Sequence, residues 1–256
     1  MRDDLVAIIL PMYNEAESIP ALQRMFKEIP LPPGYSPLII IVNDGSSDNT
    51  LELATKWVLA GSRAIIVSHT QNRGLGEAII TGFTEAMKAR ATCIVTMDAD
   101  ATHPGEIIAE LVAKIGAGAD IAIASRYIKG GGQDGVPFLR SFLSIGAKIF
   151  YHLAFPLRGV TDYTINFRAY RSSLVSQALA TGKWPFLASR SFSATVELLL
   201  KLAPFAGTIE EVPFTVRYGA KKSASKLKIL ATVYDSLRLL FLPKRRCPLG
   251  RGLRIS

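Results

Sequence analysis

Short apolar runs alternate with segments of helical period along the first half of the chain. The apolar runs are typical of buried strands, whereas apolar residues spaced three and four apart between them predict amphipathic helices. The predicted strands cover 5–11, 38–44, 64–69, 93–98 and 119–125, and the predicted helices cover 17–29, about 48–60, 75–89 and 104–115. Strands that alternate with helices of this length favour βαβ units. We therefore predict an α/β fold with a mostly parallel central sheet flanked by helices.

The regular alternation stops after Arg126. A glycine-rich stretch at 129–135 predicts a loop, and the segment 138–155 predicts a helix that is apolar nearly all round. Further predicted elements are a helix within 184–202, a strand at 208–216 and a C-terminal amphipathic helix at 225–242, followed by a basic tail.

Composition limits the class of protein. With 256 residues, 49% of them hydrophobic and 20% charged, the chain is long and apolar enough for one large domain. Cys93 and Cys247 lie far apart, so we expect no disulfide framework and a reducing compartment. The first apolar run is too short for a signal peptide, and no stretch approaches the roughly 18 apolar residues of a membrane-spanning helix.

The net charge is +9, and many of the basic residues lie in the last third of the chain. They are Lys221, Lys222, Lys226, Lys228, Lys244, Arg245, Arg246, Arg251 and Arg254. Such an excess predicts an anionic partner, which is a phosphate ligand, a nucleic acid or an acidic membrane. A solvated basic face is the alternative.

Polar residues follow each of the first four predicted strands. These strand ends are 11–15, 43–48, 72–76 and the pair Asp98 and Asp100. Because the carboxyl ends of parallel strands meet at one sheet edge, the four are expected to line one crevice. Two carboxylates spaced i, i+2 can both reach a hard divalent cation that also binds water and phosphate oxygens. A helix N-cap or a polar turn is the alternative for that pair.

Two nucleotide motifs are excluded by spacing. Gly74 and Gly76 open a predicted helix and could let backbone N–H groups approach a phosphate, but they do not match G-x-G-x-x-G. No P-loop sequence is present either. Asp44, at the end of the second strand, is a candidate for binding a base or ribose, or else a turn residue.

The ordered motifs LPMYNEAESIP, IIIVNDGSSDNT, NRGLGEAIITGF, MDADATHPGE and SRY resemble the family 2 inverting glycosyltransferases of GT-A fold. Within that family the chain is most similar to the polyprenol-phosphate sugar transferases, of which dolichol-phosphate mannose synthase is the type. Segments 139–144, 161–170 and 211–228 extend the resemblance beyond the nucleotide half. The resemblance implies a catalytic domain at 1–220, with a nucleotide-binding half at 1–126 and an acceptor half at 127–220. Residues 221–256 would form a closing loop, the amphipathic helix and the basic tail.

The resemblance also implies site residues. Pro11, Tyr13, Glu15, Val42 and Asp44 would hold the base and ribose of a nucleotide-sugar, GDP-mannose or a UDP-sugar. Asp98, Ala99 and Asp100 would line its diphosphate, with Asp98, Asp100 and Thr102 around Mg²⁺ or Mn²⁺. Arg126, Arg217 and Lys226 would contact phosphates, and Arg126, Arg140 and Ser144 would hold the phosphate of a polyprenyl or dolichyl phosphate acceptor. The catalytic set would be Asp98, Asp100, Arg126 and Arg140.

Two departures from the family pattern affect these roles. Thr102 stands where the family type has a metal-ligating Gln, so the metal preference is open. The closing loop also carries extra residues at 220–224, so a neighbouring lysine is an alternative to Lys226.

An acceptor phosphate is already ionised near neutral pH, so it needs cations rather than a general base. Arg126, Arg140, Arg168, Arg217 and the lysines supply such cations, which favours direct inverting displacement onto a phosphate. The apolar segments 138–155 and 225–242 beside basic residues predict a membrane surface as partner, although packing against the core is their alternative. We expect a cytoplasmic protein that lies peripherally on the inner face of the membrane. The prediction also allows for a membrane-spanning partner protein.

Three other functions stay open at this point. A transferase acting on a hydroxyl acceptor would need a base, for which Asp162 is the only candidate. A basic nucleic-acid-binding module ranks lower because no reader motif is present, and we expect no nucleic-acid partner. A non-catalytic membrane-tethered subunit ranks lower because the acidic strand end is intact. His69, His103 and His152 are isolated and carry no predicted catalytic role, and Trp57 and Trp184 are expected to pack.

Overall fold

The computed structural model of the protein describes residues 3–27, 29–181, 187, 189, 193–217, 235 and 237–240. One half of its central sheet is formed by four parallel strands from the first hundred residues. They are β1 (Asp4–Met12), β2 (Tyr35–Asn43), β3 (Ala64–Ser68) and β4 (Cys93–Thr96). Their order is β3-β2-β1-β4, and the aliphatic run Val6–Leu10 of β1 is fully buried. The register pairs Pro11 with Val42 and Met12 with Asn43, so the polar segments that follow both strands leave the sheet side by side.

Helices return the chain between these strands, as predicted. They are α1 (Ile19–Phe26), α2 (Thr50–Leu59), α3 (Leu75–Lys88) and α4 (Glu106–Gly116). Helix α1 begins two residues later than predicted because Pro20 suits the first turn of a helix, and the Ser18 hydroxyl bonds to the Glu15 carboxylate instead of capping the helix. Trp57 is buried and packs against Phe26, as the sequence predicted.

The second half of the described sheet contains an antiparallel strand that the sequence did not predict. Strand β5 (Ile121–Ser125) pairs in parallel with β8 (Ile209–Pro213), while β7 (Arg168–Arg171) lies antiparallel between β4 and β5. With two arginines in four residues, β7 lacks the apolar pattern of a buried strand. The sheet accommodates it because the Arg168 guanidinium donates to the carbonyl oxygens of Thr195 and Tyr163, both at 2.6 Å.

A two-stranded parallel sheet lies apart from the main one. Its strands are β6 (Gly132–Asp134) and β9 (Thr215–Arg217). The prediction of a loop throughout 129–135 was therefore wrong, and so was the prediction of one continuous strand at 208–216. The chain leaves the main sheet after Pro213 and joins β6 instead. The buried Phe214 links the two sheets, because its N–H donates to the Ser125 carbonyl at 3.1 Å and its carbonyl accepts the Gly132 N–H at 3.0 Å.

The remaining helices are α5 (Phe138–Ala154), α6 (Ser172–Leu179) and α7 (Ser193–Leu202), with a 3-10 turn at Ala203–Phe205. Helix α5 confirms the predicted helix at 138–155, α7 falls within the predicted segment 184–202, and α6 was not predicted. Most of the predicted helix at 225–242 lies outside the described residues; of its described part, 235 and 237–239 are helical. None of the helices in the described ranges has the length and apolarity that crossing a membrane requires.

Candidate active site

The acidic pair Asp98 and Asp100 follows β4 directly, at the carboxyl edge of the sheet. Asp98 Oδ1 accepts a hydrogen bond from Asn166 Nδ2 at 3.0 Å. Asp100 Oδ1 accepts from the Thr102 backbone N–H at 3.2 Å and from its hydroxyl at 2.7 Å. Ala101 has a φ of 60°, a left-handed conformation that costs a non-glycine residue about 1–3 kcal/mol. This turn folds Thr102 back onto Asp100, so both carboxylates are oriented within the protein itself.

The acidic pair contacts a histidine whose role the sequence did not reveal. The ring of His103, for which no catalytic role was predicted, is buried and stacks on Phe167 at a centroid distance of 4.8 Å and an interplanar angle of 3°. Its Nδ1 accepts the Asp98 backbone N–H at 3.3 Å, which assigns the ring proton to Nε2, 4.0 Å from Asp98 Oδ2. The imidazole therefore holds the backbone of Asp98 and lies near its carboxylate.

The first two strand ends are tied together, as expected for one crevice. Asn14, with a φ of 52°, accepts the Ser47 backbone N–H at 2.8 Å, and its own N–H donates to the Ser46 hydroxyl at 3.0 Å. Pro11 lies beside Val42 in the register, and Val42 is fully buried. Of the predicted nucleotide-binding residues here, Tyr13 is the exposed one at 38% and Glu15 is buried.

Asp44 is buried and accepts several hydrogen bonds within the protein. His69 Nδ1 lies 2.6 Å from its Oδ1, and the backbone N–H groups of Arg73 and Gly74 donate to the same carboxylate at 2.9 and 2.8 Å. The other ring nitrogen of His69 lies 2.9 Å from the Thr81 hydroxyl. The Gly74 N–H, suggested by the sequence as a phosphate contact, is thus turned toward Asp44. The carboxylate holds the loop after β3 against the end of β2.

The acidic pair offers the hard oxygen ligands that Mg²⁺ and Mn²⁺ prefer. Within the ranges that the structure covers, no group of three or more His, Cys, Asp or Glu side chains is arranged to hold a metal ion. The two carboxylates fit such a cation, whose remaining ligands would be oxygens of a bound diphosphate and water. Thr102 supports Asp100 through its hydroxyl.

Beside the acidic pair, Arg126 follows β5 and forms a two-point ion pair with Asp162. Its Nε lies 2.7 Å from Asp162 Oδ2 and its Nη2 lies 2.8 Å from Oδ1, while Nη2 also donates to the Thr164 hydroxyl at 2.7 Å. Burial by itself raises the pKa of Asp162, but the charge and hydrogen bonds of Arg126 outweigh it and hold that pKa below its ordinary value. Glu211 in turn accepts the backbone N–H groups of Thr161 and Asp162 at 2.7 and 2.9 Å.

Two of the three predicted acceptor residues, Arg126 and Ser144, contact Tyr127. Its hydroxyl lies 2.6 Å from the Ser144 hydroxyl of α5, which links the end of β5 to that helix. The Arg126 guanidinium carbon lies 5.1 Å from the centroid of the Tyr127 ring. Position 140 is one turn before Ser144 in α5, and the Arg140 side chain lies outside the described part of the structure.

Three further cations that the sequence assigned to phosphate binding are Arg217, Lys226 and Arg168. Arg217 is exposed and pairs with Glu106 at 3.1 Å, while its backbone N–H donates to the Thr102 carbonyl at 3.2 Å, so β9 reaches the acidic segment. Lys226 lies outside the described residues. Arg168 was counted among the cations for the acceptor, which was wrong, because its side chain is fully buried and bonded to backbone carbonyls.

The central sheet with its acidic strand end has the architecture of the GT-A fold. Similar solved structures share this fold. Glucosyl-3-phosphoglycerate synthase from Mycobacterium tuberculosis, in complex with Mn²⁺, UDP-glucose and phosphoglyceric acid, superposes with a TM-score of 0.66 at 18% identity over 94% of this chain and 81% of that one. S. aureus TarS in complex with UDP gives a TM-score of 0.61 at 18% identity over 92% of this chain and 64% of that one. These likenesses concern the fold.

Sequence comparison then places the chain more narrowly. Residues 7–179 match the model of glycosyl transferase family 2, and the chain belongs to that family. Dolichol-phosphate mannosyltransferase of Pyrococcus furiosus is 35% identical over 239 residues, which are 92% of this chain and 62% of that relative's length. Polyprenol monophosphomannose synthase of Mycolicibacterium smegmatis is 31% identical over 210 residues, 81% of this chain and 76% of that relative. The fold and family predicted from the motifs are confirmed.

Proposed function

We propose that this protein transfers one sugar from a nucleotide-sugar to a polyprenyl or dolichyl phosphate. The observation that carries the proposal is the position of the Arg126–Tyr127–Ser144 group beside the acidic pair at one sheet edge. The Arg126–Tyr127–Ser144 group would provide cationic and hydroxyl contacts for an acceptor phosphate. The acidic pair would suit a metal-bound diphosphate. The relatives named for dolichol-phosphate and polyprenol mannosyl transfer support the same acceptor class.

The donor half of the site would use the acidic pair and the tied strand ends. A divalent cation, Mg²⁺ or Mn²⁺, would neutralise charge on the departing diphosphate. Asp98 and Asp100 would hold it, with Thr102 and His103 keeping the two carboxylates in place. Pro11, Tyr13, Glu15 and the backbone at Val42 would enclose the base and ribose, and GDP-mannose is the first donor to test. Asp44 would act through the 72–74 loop that it holds.

The acceptor half favours a phosphate over a hydroxyl nucleophile. A hydroxyl acceptor needs a general base, and Asp162 was the only candidate. Asp162 is fully buried, both of its oxygens accept hydrogen bonds from Arg126, and its pKa is lowered, so it is a poor proton acceptor for a substrate. A phosphate monoester is ionised without such a base. The phosphate oxygen would attack the anomeric carbon directly, with inversion, as the diphosphate leaves.

Helix α5 supports a membrane surface as the place where the acceptor is met. Phe142, Ile145, Ile149 and Leu153 of this helix are 64, 45, 54 and 77% exposed, and their spacing places them on one stripe. Such a stripe suits the boundary between lipid headgroups and acyl chains. The protein would then sit peripherally on the inner face of the membrane, with or without a membrane-spanning partner protein.

The test is a transfer assay with the full chain, labelled GDP-mannose or UDP-sugars, Mn²⁺ or Mg²⁺, and undecaprenyl or dolichyl phosphate. We expect label in the lipid phase that EDTA abolishes and that the free polyprenol, lacking a phosphate, does not support. Asp100→Ala is expected to lose transfer even at saturating Mn²⁺. Equal transfer to polyprenol or to soluble saccharides would overturn the proposed acceptor.

A further inference from the structure

A second cation contacts the Tyr127 ring in the acceptor half. Lys148 is half-buried on α5, one turn after Ser144, and its Nζ lies 4.6 Å from the centroid of that ring. The Arg126 guanidinium carbon lies 5.1 Å from the same centroid. The two cations therefore share one aromatic ring by cation–π contact, and their like charges favour the binding of an anion nearby.

The two cations differ in how their charge is balanced. The charge of Arg126 is neutralised by Asp162 in the two-point pair. Lys148 forms no ion pair with any residue that the structure describes. The ammonium of Lys148 therefore brings a positive charge that no ion pair among the described residues balances, and a doubly charged phosphate monoester favours such a charge.

Helix α5 carries Lys148 on one side and an exposed apolar stripe on another, an arrangement that suits a lipid with a charged headgroup. Positions 140, 144 and 148 are spaced four apart and so lie along one side of the helix. The exposed apolar stripe that contains Phe142 and Ile149 runs along another side. A lipid phosphate whose chain follows the stripe would bring its headgroup to the polar side, where Tyr127, bonded to Ser144, positions Lys148.

We propose that Lys148 binds the acceptor phosphate and attracts it electrostatically, while Arg126, fixed by Asp162, orients it. This inference rests on the proposed function and adds a residue to its acceptor site. The Tyr127 ring acts as a positioning group for the ammonium.

The test compares Lys148→Met and Lys148→Arg in the full chain, with a short-chain polyprenyl phosphate in neutral detergent as acceptor. Methionine keeps an unbranched stem for packing but removes the charge. We expect Lys148→Met to raise the KM for the acceptor about tenfold, as loss of a charge-assisted contact does, with the donor KM unchanged. Lys148→Arg is expected to keep most of the wild-type affinity. Lys56→Met is the matched control, because Lys56 is an exposed lysine of α2 that pairs with Glu52.

A double-mutant cycle tests the role of the ring. Tyr127→Leu is expected to raise the acceptor KM in the same way, and the double variant with Lys148→Met is expected to be no worse than the more affected single variant. Full additivity would show that the ring does not act through Lys148.

Three outcomes keep the inference separate from the proposed function. If the wild-type protein transfers no sugar to a polyprenyl phosphate, the proposed function itself fails. If it transfers and Lys148→Met has the wild-type acceptor KM, only the assignment of Lys148 fails. If the loss appears with anionic vesicles but is absent in neutral detergent, Lys148 binds lipid headgroups instead of the acceptor, and the assignment is overturned.

Discussion

Arg126 and Asp162 are joined by two parallel contacts, Nε to Oδ2 at 2.7 Å and Nη2 to Oδ1 at 2.8 Å, with the carboxylate fully buried. This geometry fixes the plane of the guanidinium, because both partners are planar and share two hydrogen bonds. The Glu211 carboxylate, which accepts from the Asp162 backbone N–H at 2.9 Å, holds the segment that carries Asp162. Arg126, at the proposed acceptor site, is thus a preorganised group.

Removing Asp162 should leave a largely buried guanidinium without its counter-charge. We expect Asp162→Ala to lower the free energy of unfolding by about 3–5 kcal/mol, as for other broken buried pairs. Denaturant unfolding followed by circular dichroism measures this. Asp120→Ala is the control, because Asp120 pairs with Arg171 at a more exposed site and should cost less. Equal losses in the two variants would contradict a special role for the buried pair.

The same pair predicts a pH dependence. The pKa of Asp162 is lower in the folded protein than in the unfolded chain, so its ionisation contributes stability that is fully present above the ordinary Asp pKa of about 3.9. That contribution is lost as the pH falls through the depressed folded-state pKa. We expect the stability difference between wild type and Asp162→Asn to be largest near neutral pH and to shrink below about pH 4. A difference that stays constant to low pH would contradict the ionised pair.

We expect the Thr102 hydroxyl to raise the affinity for the metal ion, because it orients the Asp100 carboxylate. Thr102→Val removes the hydroxyl that donates to Asp100 Oδ1 at 2.7 Å but keeps the backbone contact at 3.2 Å. We expect the Mn²⁺ concentration needed for half-maximal transfer to rise roughly tenfold, since a hydrogen bond to a charged group is lost. Thr102→Ser keeps a hydroxyl and is expected to resemble the wild type. An unchanged Mn²⁺ response of the valine variant would show that the hydroxyl does not orient Asp100.

We expect substitution of His69 to change the KM for the donor and to leave the KM for the acceptor unchanged. His69→Ala removes the partner 2.6 Å from Asp44, whose carboxylate holds the N–H groups of Arg73 and Gly74. We expect the donor KM to rise roughly tenfold, because a buried charged group loses one hydrogen bond and the 72–74 loop is held less firmly. His69→Asn, which can still donate to Asp44, is the matched control. A change in the acceptor KM alone would contradict this assignment.

The stripe on α5 should govern vesicle binding. Phe142→Asp and Ile149→Asp place a charge on the exposed stripe, and we expect each to reduce co-flotation with anionic vesicles severalfold. Transfer to a short-chain acceptor in detergent should change little. Leu59→Asp is the control, since Leu59 is 79% exposed but belongs to α2. Equal losses in the control would show that the stripe has no special role.

Much of the site was accessible from the sequence because its residues directly follow strands. Asp98 and Asp100 end an apolar run, and Arg126 ends another, so strand periodicity alone brings them to one edge of the sheet. The structure confirms this edge and the parallel strands that form it. The family motifs gave the order of these segments, and the fold and family that they implied are confirmed.

The supporting partners were not accessible in the same way. His69 and His103 have no ligand-like spacing, and each acquires its role from a neighbour that the fold supplies, Asp44 for the first and Asp98 for the second. Asp162 was only a candidate base for a hydroxyl acceptor until the structure paired it with Arg126, 36 residues away in the chain.

The sequence by itself determined the α/β class, the sheet edge where the candidate site residues lie and the family, because hydrophobic period and short motifs are local properties. Only the tertiary structure decided that β7 runs antiparallel in the middle of the sheet and that Tyr127 gathers Arg126, Ser144 and Lys148. These features depend on contacts between distant segments, where burial and charge balance are set by neighbours that no local pattern specifies. For this reason Arg168 could look like a substrate cation in the sequence and yet serve the core.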